Sequence, residues 1–404
     1  MNLKTEVERQ MKILSSGTVE IIPENELREK ISHSLLKGEP LRVKVGIDPT
    51  SPHVHIGHMV IYGKLRQFQD LGHKAVLVIG DYTARIGDPT GRNRERAPLS
   101  EEDVLRNSRT YRDQIFKIVD ESKTEVHFQS EGFDSLTLQD ILNTASAFST
   151  AHMLTHETFR KRLEKGDRLS LHELFYPVLQ AWDSLLIKSD VELGGMDQKF
   201  NILCGRDLQK NRGMTPQAAL FMPLLEGTDG RKMSKSFGNH IPVDADPQDM
   251  FGKVMSIKDD LILPWFSLAA QRSSQELSLL KVRLEKENPR DVKMELASEI
   301  VSLYHGTEKA ERCRLGFISQ FSRRELPEEI PLFFIDPKGM KITGILKESG
   351  LLPSISEARR LIIQGGLKID GDPVRDPDFI LRPVIDTFII IKAGKRKYLK
   401  VKGR

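Results

Sequence analysis

Apolar and polar positions along the first part of the chain follow a pattern that predicts a parallel sheet. The run LRVKVGI at 41–47 is typical of a strand that ends near a glycine. Residues 57–72 then carry apolar side chains at helical spacing, and HKAVLVIGD at 73–81 is an almost unbroken apolar run. Such a run is expected of a strand that is buried on both faces. Strand, helix and strand in this order predict a parallel pair joined by a right-handed crossover.

Two further runs extend the same pattern. TEVHFQS at 124–130 and SDVELGG at 189–195 predict additional strands, with helical patterns between them. Residues 1–239 are therefore predicted to form a doubly wound, parallel-sheet α/β domain of the Rossmann type. In such sheets ligands bind beyond the carboxyl ends of the strands.

The pattern becomes helical in the next segment, residues 240–330, which we predict to be a separate helical domain. Pro247 and Pro289 stand at positions that are typical of helix starts. The following segment, 331–340, lies in a proline-rich stretch and is predicted to be a linker.

Residues 341–404 predict a small α+β domain. Ser354 and Glu357 have the spacing of a capping box at the start of a helix. The stretch DTFIIIKAGKRKYLKVK predicts two strands joined by a tight Ala-Gly turn.

Composition narrows the class of protein. The chain has 404 residues, enough for two or three domains, and its 39% hydrophobic and 29% charged content is that of an ordinary soluble protein. It has no apolar run long enough to span a membrane, and its N-terminus lacks the apolar stretch of a signal peptide. Two cysteines without metal-ligand spacing are typical of a reducing compartment, so we expect a cytoplasmic protein.

The segment HVHIGH places His53, His55 and His58 between a predicted strand and a predicted helix. Taken alone, the cluster is compatible with metal ligands, with donors to phosphate or with surface histidines, which are the commonest of the three. A zinc site would need a further ligand, as in the His-Glu-x-x-His pattern, and no such glutamate is present. Helix N-termini attract anions and Gly57 lets the backbone approach a ligand, so the location favours phosphate.

A second motif, DGRKMSKSFGN at 229–239, carries Lys232 and Lys235 on a stretch rich in glycine and serine. Most stretches of this kind are solvated surface loops, but a mobile loop with two ammonium groups is suited to closing over a triphosphate. Because both motifs occur in one chain, in this order and on this predicted fold, a triphosphate site is favoured.

The motifs HIGH and KMSKS together resemble the paired signature of the class I aminoacyl-tRNA synthetases. Four segments of the first predicted domain resemble the tyrosyl enzymes of bacterial type: GIDPTSPHVHIGH (46–58), TARIGDPTG (83–91), YPVLQAWD (176–183) and GGMDQKFN (194–201). The last segment of the chain resembles a small RNA-binding domain named after a protein of the small ribosomal subunit. The resemblance thus covers nearly the whole chain.

This resemblance implies a tyrosine–tRNA ligase. Such an enzyme activates L-tyrosine with ATP, releasing pyrophosphate, and then transfers the tyrosyl group to the 3′ end of tRNA-Tyr. Mg²⁺ is expected to arrive with the ATP, without a dedicated protein metal site. The resemblance also implies a homodimer, with residues 147–166 in part of its interface, and no membrane partner.

The resemblance further implies roles for individual side chains. Residues expected to hold the phosphates during catalysis are Thr50, His55, His58, Lys232 and Lys235. Those expected to bind other parts of ATP are Asp48, Gly57, Gly195 and Asp197, with Lys235 shared; Asp48 lies in the same loop as Thr50 and is equally compatible with the amino-acid side. Those expected to bind tyrosine are Asp88, Tyr176, Gln180, Asp183 and Gln198. Those expected to bind tRNA are Arg359, Arg360, Lys395, Arg396 and Lys397.

Asp183 is the candidate partner for the phenol hydroxyl. It stands seven residues after Tyr176 on a helical pattern, so both side chains should share one face of the helix. Taken alone, however, it would be interpreted as an ordinary carboxylate on a helix surface.

Lys44 marks a departure from the commoner pattern. Many tyrosyl enzymes have a tyrosine at this position, and they have glycine where this chain has Asp81. A buried charge is costly without a partner, so we predict a Lys44–Asp81 ion pair across adjacent strand ends. This combination resembles a second bacterial subgroup and leaves the contacts to the phenol hydroxyl open.

Three other functions are compatible with parts of the sequence. One is an adenylate-forming enzyme that acts on a small acid without tRNA, against which the complete KMSKS motif and the C-terminal domain argue. Another is a catalytically inactive RNA-binding relative, but both histidines and both lysines of the phosphate set are present. The nearest alternative is a tryptophanyl enzyme, which typically lacks this C-terminal domain and has no use for an aspartate beside the ring.

Overall fold

In a computed structural model of the chain, the structure describes residues 2–89, 99–323, 330–383, 388–394 and 397–403. The chain divides into two compact units, Met1–Arg314 and Leu315–Arg404. In the described ranges, the first unit contains one sheet and the second unit contains two. Within the described residues, no helix combines the length and the apolar character that crossing a membrane requires.

The first unit contains a six-stranded sheet in the order β1-β6-β5-β2-β3-β4. Its strands are β1 (Glu20–Ile22), β2 (Arg42–Ile47), β3 (Lys74–Ile79), β4 (Thr124–Phe128), β5 (Val191–Gly195) and β6 (Ala218–Met222). All neighbours pair in parallel except β1, which runs antiparallel to β6. The predicted parallel α/β sheet is therefore confirmed, and the four predicted strands are β2 to β5.

Helices cover this sheet and continue beyond it. Those of the first unit are α1 (Leu3–Ser15), α2 (Glu24–Lys37), α3 (Ile56–Asp70), α4 (Thr83–Ile86), α5 (Glu101–Ile115), α6 (Gln129–Phe133), α7 (Leu138–Ala145), α8 (Thr150–Met153), α9 (Glu157–Glu164), α10 (Leu171–Leu186), α11 (Lys199–Asn211), α12 (Pro247–Met255), α13 (Ile262–Leu268), α14 (Ser274–Leu284) and α15 (Pro289–His305). A further helix, α16 (Thr307–Arg323), runs across the boundary between the two units.

Strand β3 shows why this sequence forms a central parallel strand. Residues 75–79 are all buried, because helices cover both faces of the sheet. Strand β2 lies beside β3 in register from Arg42 opposite Lys74 to Ile47 opposite Ile79. The segment after β2 enters α3 at His55, so the HVHIGH motif lies at the carboxyl end of the sheet.

Residues 240–314 are helical, as the pattern of proline and apolar positions predicted. Pro247 and Pro289 are the first residues of α12 and α15, where a missing backbone N–H costs no helical hydrogen bond. These helices belong to the same compact unit as residues 1–239.

The second unit contains a five-stranded sheet in the order β10-β9-β12-β13-β7 and a two-stranded sheet of β11 and β8. Its elements after α16 are β7 (Leu332–Ile335), β8 (Met340–Lys341), α17 (Ile342–Glu348), α18 (Ile355–Ile363), β9 (Leu367–Ile369), β10 (Asp372–Pro373), β11 (Ile380–Leu381), β12 (Ile389–Ala393) and β13 (Lys397–Gly403). The Ser354 side chain caps α18 by accepting from the Glu357 N–H over 3.2 Å.

Part of the predicted linker belongs to this second sheet. Residues 332–335 form β7, which pairs in parallel with the last strand, β13. Ile335 is buried in the core of the unit, and Phe333 packs against that core. The linker interpretation is therefore wrong for these four residues. The prolines on both sides indicated a linker, and the run between them is too short for its alternation to indicate a strand.

Candidate active site

A cavity of about 700 Å³ opens at the carboxyl ends of β2, β3 and β5. Its wall includes backbone at the end of β2, the start of α3, the inner face of α10 and the loop 232–237. The structure brings most of the predicted site residues together there. Those that line it are Asp48, Thr50, His55, His58, Asp88, Tyr176, Gln180, Asp183, Gln198, Lys232 and Lys235.

His55 and His58 stack on each other at the first turn of α3. Their ring centroids are 3.6 Å apart and the rings are inclined by 20°. Nδ1 of His58 accepts from the His55 N–H over 3.4 Å, so the proton of a neutral His58 resides on Nε2. Among the described residues, buried Nδ1 of His55 has no hydrogen-bond partner. Both histidines line the cavity at this turn.

Both imidazoles are neutral near pH 7. Burial lowers the pKa of His55 to about 2, and the charge of Lys235, together with that of His58 or His240 when protonated, acts in the same direction. Partial burial of the ring also lowers the pKa of His58, and the charges of Lys235 and Lys232 act in the same direction, although the residue stays exposed to the open cleft. Neutral imidazoles can donate hydrogen bonds without adding a fixed charge to the cleft.

The KMSKS loop packs against the same turn. Lys235 Nζ donates to the backbone oxygen of His53 over 2.7 Å and also to the Ser51 hydroxyl. Sδ of the buried Met233 accepts from the Gly57 N–H over 3.3 Å. The two sequence motifs therefore face each other across one end of the cavity.

Lys232 faces a second loop, at the end of β5. Its ammonium lies 3.7 Å from the Asp197 carboxylate, and both side chains remain accessible. A Cβ at Gly195 would lie 2.5 Å from Asp197 Oδ1, which explains why a glycine precedes this loop. At Gly57 a Cβ would lie 3.1 Å from the His55 ring and 3.3 Å from Met233, so a side chain there would crowd the motif contact.

Asp48 occupies the floor of the cavity between two hydroxyl groups. The Tyr176 hydroxyl donates to Asp48 Oδ2 over 2.8 Å, and the Thr83 hydroxyl donates to Oδ1 over 2.7 Å. Burial raises the pKa of Tyr176, and the charge of Asp48 adds to that shift. Tyr176 is therefore a neutral hydrogen-bonding group at the pH of the cell.

Asp88 is tied to the loop after β5. Gln198 Nε2 donates to Asp88 Oδ2 over 2.6 Å, and Asn201 Nδ2 donates to Gln198 Oε1 over 3.1 Å. Residues 90 and 91, which end the segment that resembles the amino-acid loop, lie outside the described residues. Asp88 and Gln198 thus form a polar pair on the cavity wall.

Asp183 lies at the far end of the cavity, buried on α10. Gln129 Nε2 donates to its Oδ2 over 2.8 Å. Burial raises the pKa of Asp183 to about 7, while the charge of Lys44 and the hydrogen bond from Gln129 oppose that rise. Asp183 and Tyr176 both belong to α10 and both line the cavity, as the helical spacing predicted.

The predicted Lys44–Asp81 ion pair is wrong. Lys44 Nζ lies 3.0 Å from Glu192 Oε1, and both side chains are fully buried. Asp81 instead accepts from the Ser130 N–H over 3.0 Å. The reason is the strand order, since β2 has two neighbours, and Lys44 pairs with Glu192 on the β5 side.

The predicted tRNA-binding residues belong to the second unit. Arg359 and Arg360 are exposed on α18, where Arg359 lies 3.3 Å from Asp378. Lys397 begins β13 and donates to the backbone oxygen of Leu351 over 3.0 Å. Lys395 and Arg396 lie outside the described residues.

Sequence reasoning missed three polar residues of the site. Gln129 and Thr83 link Asp183 and Asp48 by hydrogen bonds, and Glu192 neutralises Lys44. Glu192 carried one signal, since a lone acid in an otherwise apolar strand needs a buried partner. In the part of the chain that the structure describes, no group of three or more His, Cys, Asp or Glu could hold a metal ion.

Comparisons with known proteins show the family of the chain. The family model for class I tRNA synthetases of the W and Y type matches residues 36–322, and the S4 domain model matches residues 344–383. The tyrosine–tRNA ligase of Carboxydothermus hydrogenoformans is 47% identical, with 98% of each chain covered. That of Moorella thermoacetica is 44% identical, covering 99% of this chain and 97% of the relative. That of Thermotoga maritima is also 44% identical, with 98% of each chain covered.

Solved structures show the same fold at lower identity. A C-terminally truncated mitochondrial tyrosyl-tRNA synthetase of Aspergillus nidulans aligns with a TM-score of 0.65 and 21% identity, covering 79% of this chain and 99% of that one. A tyrosyl-tRNA synthetase of Archaeoglobus fulgidus complexed with L-tyrosine aligns with a TM-score of 0.61 and 21% identity, covering 76% and 99%.

Proposed function

This chain belongs to the tyrosine–tRNA ligases of the class I aminoacyl-tRNA synthetases, and on that premise we propose which of its side chains perform each part of the reaction. The enzyme activates L-tyrosine with ATP to form tyrosyl-adenylate and pyrophosphate, and then transfers the tyrosyl group to the 3′ end of tRNA-Tyr. The observation that carries the assignment of roles is the single cavity that contains both signature motifs and the inner face of α10.

In the first step, an oxygen of the tyrosine carboxylate attacks the α-phosphorus of ATP and pyrophosphate leaves on the opposite side. This step needs no protein nucleophile, so catalysis depends on positioning and on stabilising the charge that develops on the phosphates. His55, His58, Thr50 and the two lysines of the KMSKS loop bind the β- and γ-phosphates as pyrophosphate departs. Support comes from the position of these five residues on the cavity wall and from the packing of Lys235 against the turn that carries the histidines.

The nucleoside part of ATP lies near the loop after β5. Asp197 accepts from the ribose, and Gly195 lets the backbone approach the adenylate. Asp48 and Gly57 contribute from the opposite side, at the turn before α3. The position of Lys232 beside Asp197 supports this arrangement, because it brings the phosphate and ribose groups of the site together. Mg²⁺ enters as part of the ATP complex, held mainly by phosphate oxygens.

The amino-acid part of the cavity has two polar ends. Asp88, Tyr176 and Gln180 bind the ammonium group of tyrosine, and Gln198 orients the substrate through its contact with Asp88. Asp183 accepts from the phenol hydroxyl at the other end. The burial of Asp183 supports this role, because a buried acceptor is left unpaired when phenylalanine replaces tyrosine.

In the second step, a ribose hydroxyl at the 3′ end of tRNA attacks the tyrosyl carbonyl carbon and AMP leaves. Residues 240–330 contact the anticodon side of the tRNA. Residues 341–404 bind the long variable arm, with Arg359, Arg360 and Lys397 contacting phosphates. The match of residues 344–383 to the S4 domain supports an RNA-binding role for this part.

The enzyme works as a homodimer, with part of the interface formed by residues 147–166 and its surroundings. Several large apolar side chains near this segment are exposed in the single chain, which is costly for a monomer. They include Leu138, Leu142 and Leu171, which are 71%, 55% and 72% exposed. The buried free thiols Cys204 and Cys313 support a cytoplasmic location, where thiols stay reduced.

Amino-acid-dependent pyrophosphate exchange, measured with each of the standard amino acids, tests the first step. Tyrosine should support exchange far better than any other, including phenylalanine and tryptophan. Charging of purified tRNA-Tyr then tests the second step. Exchange that depended on tryptophan, or that proceeded without charging of any tRNA, would contradict the proposed roles.

A further inference from the structure

The buried ion pair of Lys44 and Glu192 adjoins the amino-acid part of the cavity, and Glu192 is one of the residues that line it. Lys44 Nζ contacts three acceptors: Glu192 Oε1 at 3.0 Å, the Gln180 backbone oxygen at 2.9 Å and Ser184 Oγ at 2.8 Å. An ammonium group has three N–H donors, so all of them are satisfied. A lysine in this arrangement is fixed in place and cannot itself reach a substrate.

Glu192 is saturated in a similar way. Besides Lys44, it accepts from Ser184 Oγ over 3.0 Å, from Gln217 Nε2 and from Gln180 Nε2 over 3.1 Å. Its side chain is 1% exposed. The carboxylate therefore acts on groups within the protein and does not offer an open oxygen to a substrate.

The contact to Gln180 has a chemical consequence. A carboxylate can only accept hydrogen bonds, so the atom of the Gln180 carboxamide that contacts Glu192 must be Nε2. The other amide atom, Oε1, then points to the other side of the group, and Gln180 lines the cavity. A carbonyl oxygen suits an ammonium group, whereas an NH₂ group at the same position would repel one.

We infer that Glu192, held in place by Lys44, is a positioning residue that fixes the carboxamide of Gln180 with its oxygen toward the ammonium group of tyrosine. This inference rests on the proposed role of Gln180 in binding that ammonium group. The pair contacts Gln180 at two points. Lys44 donates to its backbone oxygen, and Glu192 accepts from its side-chain amide. Neither Lys44 nor Glu192 contacts the substrate.

Glu192→Gln tests the inference, because a glutamine there can donate or accept and no longer dictates the orientation of Gln180. The readout is the KM for tyrosine compared with the inhibition constant of 3-(4-hydroxyphenyl)propanoate, which has the phenol and the carboxylate but lacks the ammonium group. A hydrogen bond to a charged group contributes about 1.5–3 kcal/mol, so the KM for tyrosine should rise by roughly 10- to 100-fold. The inhibition constant of the deaminated analogue should change by less than about threefold.

Two further variants serve as matched controls. Ser184→Ala removes another partner of Glu192 but leaves the Gln180–Glu192 hydrogen bond, so the ratio of tyrosine to analogue affinity should stay near the wild-type value. The exchange Gln180→Glu with Glu192→Gln moves the carboxylate to position 180. Either carboxylate oxygen can then face the ammonium group. This double variant should therefore restore most of the wild-type preference for tyrosine over the deaminated analogue.

Equal weakening of tyrosine and analogue in Glu192→Gln would mean that the pair only maintains the structure, and it would overturn the inference. An unchanged ratio would overturn it as well. The single variant leaves Lys44 unpaired and can fail to fold for that reason. In that case the double variant Lys44→Met with Glu192→Gln removes both charges, and it should show the same reduced preference for tyrosine over the analogue. Tyrosine-dependent pyrophosphate exchange by the wild-type enzyme tests the proposed function independently of any of these variants.

Discussion

Gln129 donates its side-chain N–H to Asp183 over 2.8 Å at the far end of the cavity. Its carbonyl oxygen accepts the backbone N–H of Thr83 over 3.0 Å, while the Thr83 hydroxyl donates to Asp48. The amide of Gln129 is therefore fixed in one orientation, with its donor toward Asp183. This arrangement holds the Asp183 carboxylate in place on the cavity wall.

Removing the Asp183 carboxylate should reduce discrimination between tyrosine and phenylalanine. In Asp183→Ala the phenol hydroxyl loses its acceptor, which is a charged carboxylate above pH 7. Such a contact contributes about 1.5–3 kcal/mol, so at pH 8 the preference for tyrosine should fall by roughly 10- to 100-fold. Pyrophosphate exchange with each amino acid gives the ratio. Asp81→Asn is a suitable control, because Asp81 accepts from Ser130 and does not line the cavity. If tyrosine outcompeted phenylalanine as before in Asp183→Ala, the assignment would fail.

The stacked histidines should affect the rate of adenylate formation more than the binding of tyrosine. His58→Ala removes a donor to the phosphates, which typically slows such a step by about 100-fold. Rapid-quench measurement of the first step, with the KM for tyrosine determined in parallel, separates the two effects. His53 provides a control in the same motif, because it is exposed and pairs with Asp244 at 3.0 Å. A rate loss in His53→Ala as large as that in His58→Ala would contradict the assignment.

Buried His55 should make the fold sensitive to acid. Burial lowers its pKa to about 2 in the folded state, against an ordinary value of 6.5. As pH falls below 6.5, the unfolded chain takes up a proton at this residue that the folded chain does not, so the free energy of unfolding decreases. His55→Gln should lose less stability over this range. Urea unfolding at several pH values measures the difference, and parallel curves for the two proteins would contradict it.

Removing the C-terminal domain should separate the two chemical steps. Because β7 belongs to the second sheet, the deletion should cover residues 324–404 so that no strand of that sheet remains. Pyrophosphate exchange should persist, since the cavity is built from the first unit, while tRNA charging should be lost. Equal loss of both activities would show that these residues have a structural role instead. Arg359→Ala with Arg360→Ala is the finer test, and it should weaken charging while the domain stays folded.

Much of the fold followed from local patterns in the sequence. The unbroken apolar run of β3 and the helical spacing after the histidine motif are set by burial, which acts on each segment in nearly the same way in any parallel sheet. The short strands β1 and β6 were not predicted from the sequence. The three residues of β1 have no periodicity of their own and form a strand only because β6 lies beside them.

The sequence by itself determined the two signature motifs, the order of the strands and helices that carry them, and the helical face shared by Tyr176 and Asp183. These properties depend on residue types at short spacing, so they can be recognised without knowing what lies nearby in space. Only the tertiary structure decided the partner of Lys44, the orientation of Gln129 and Gln180, and the membership of β7 in the second sheet. Each of these depends on which strand or helix becomes a neighbour across a long stretch of chain, and a buried charge or amide takes the complementary group that folding brings within hydrogen-bonding distance.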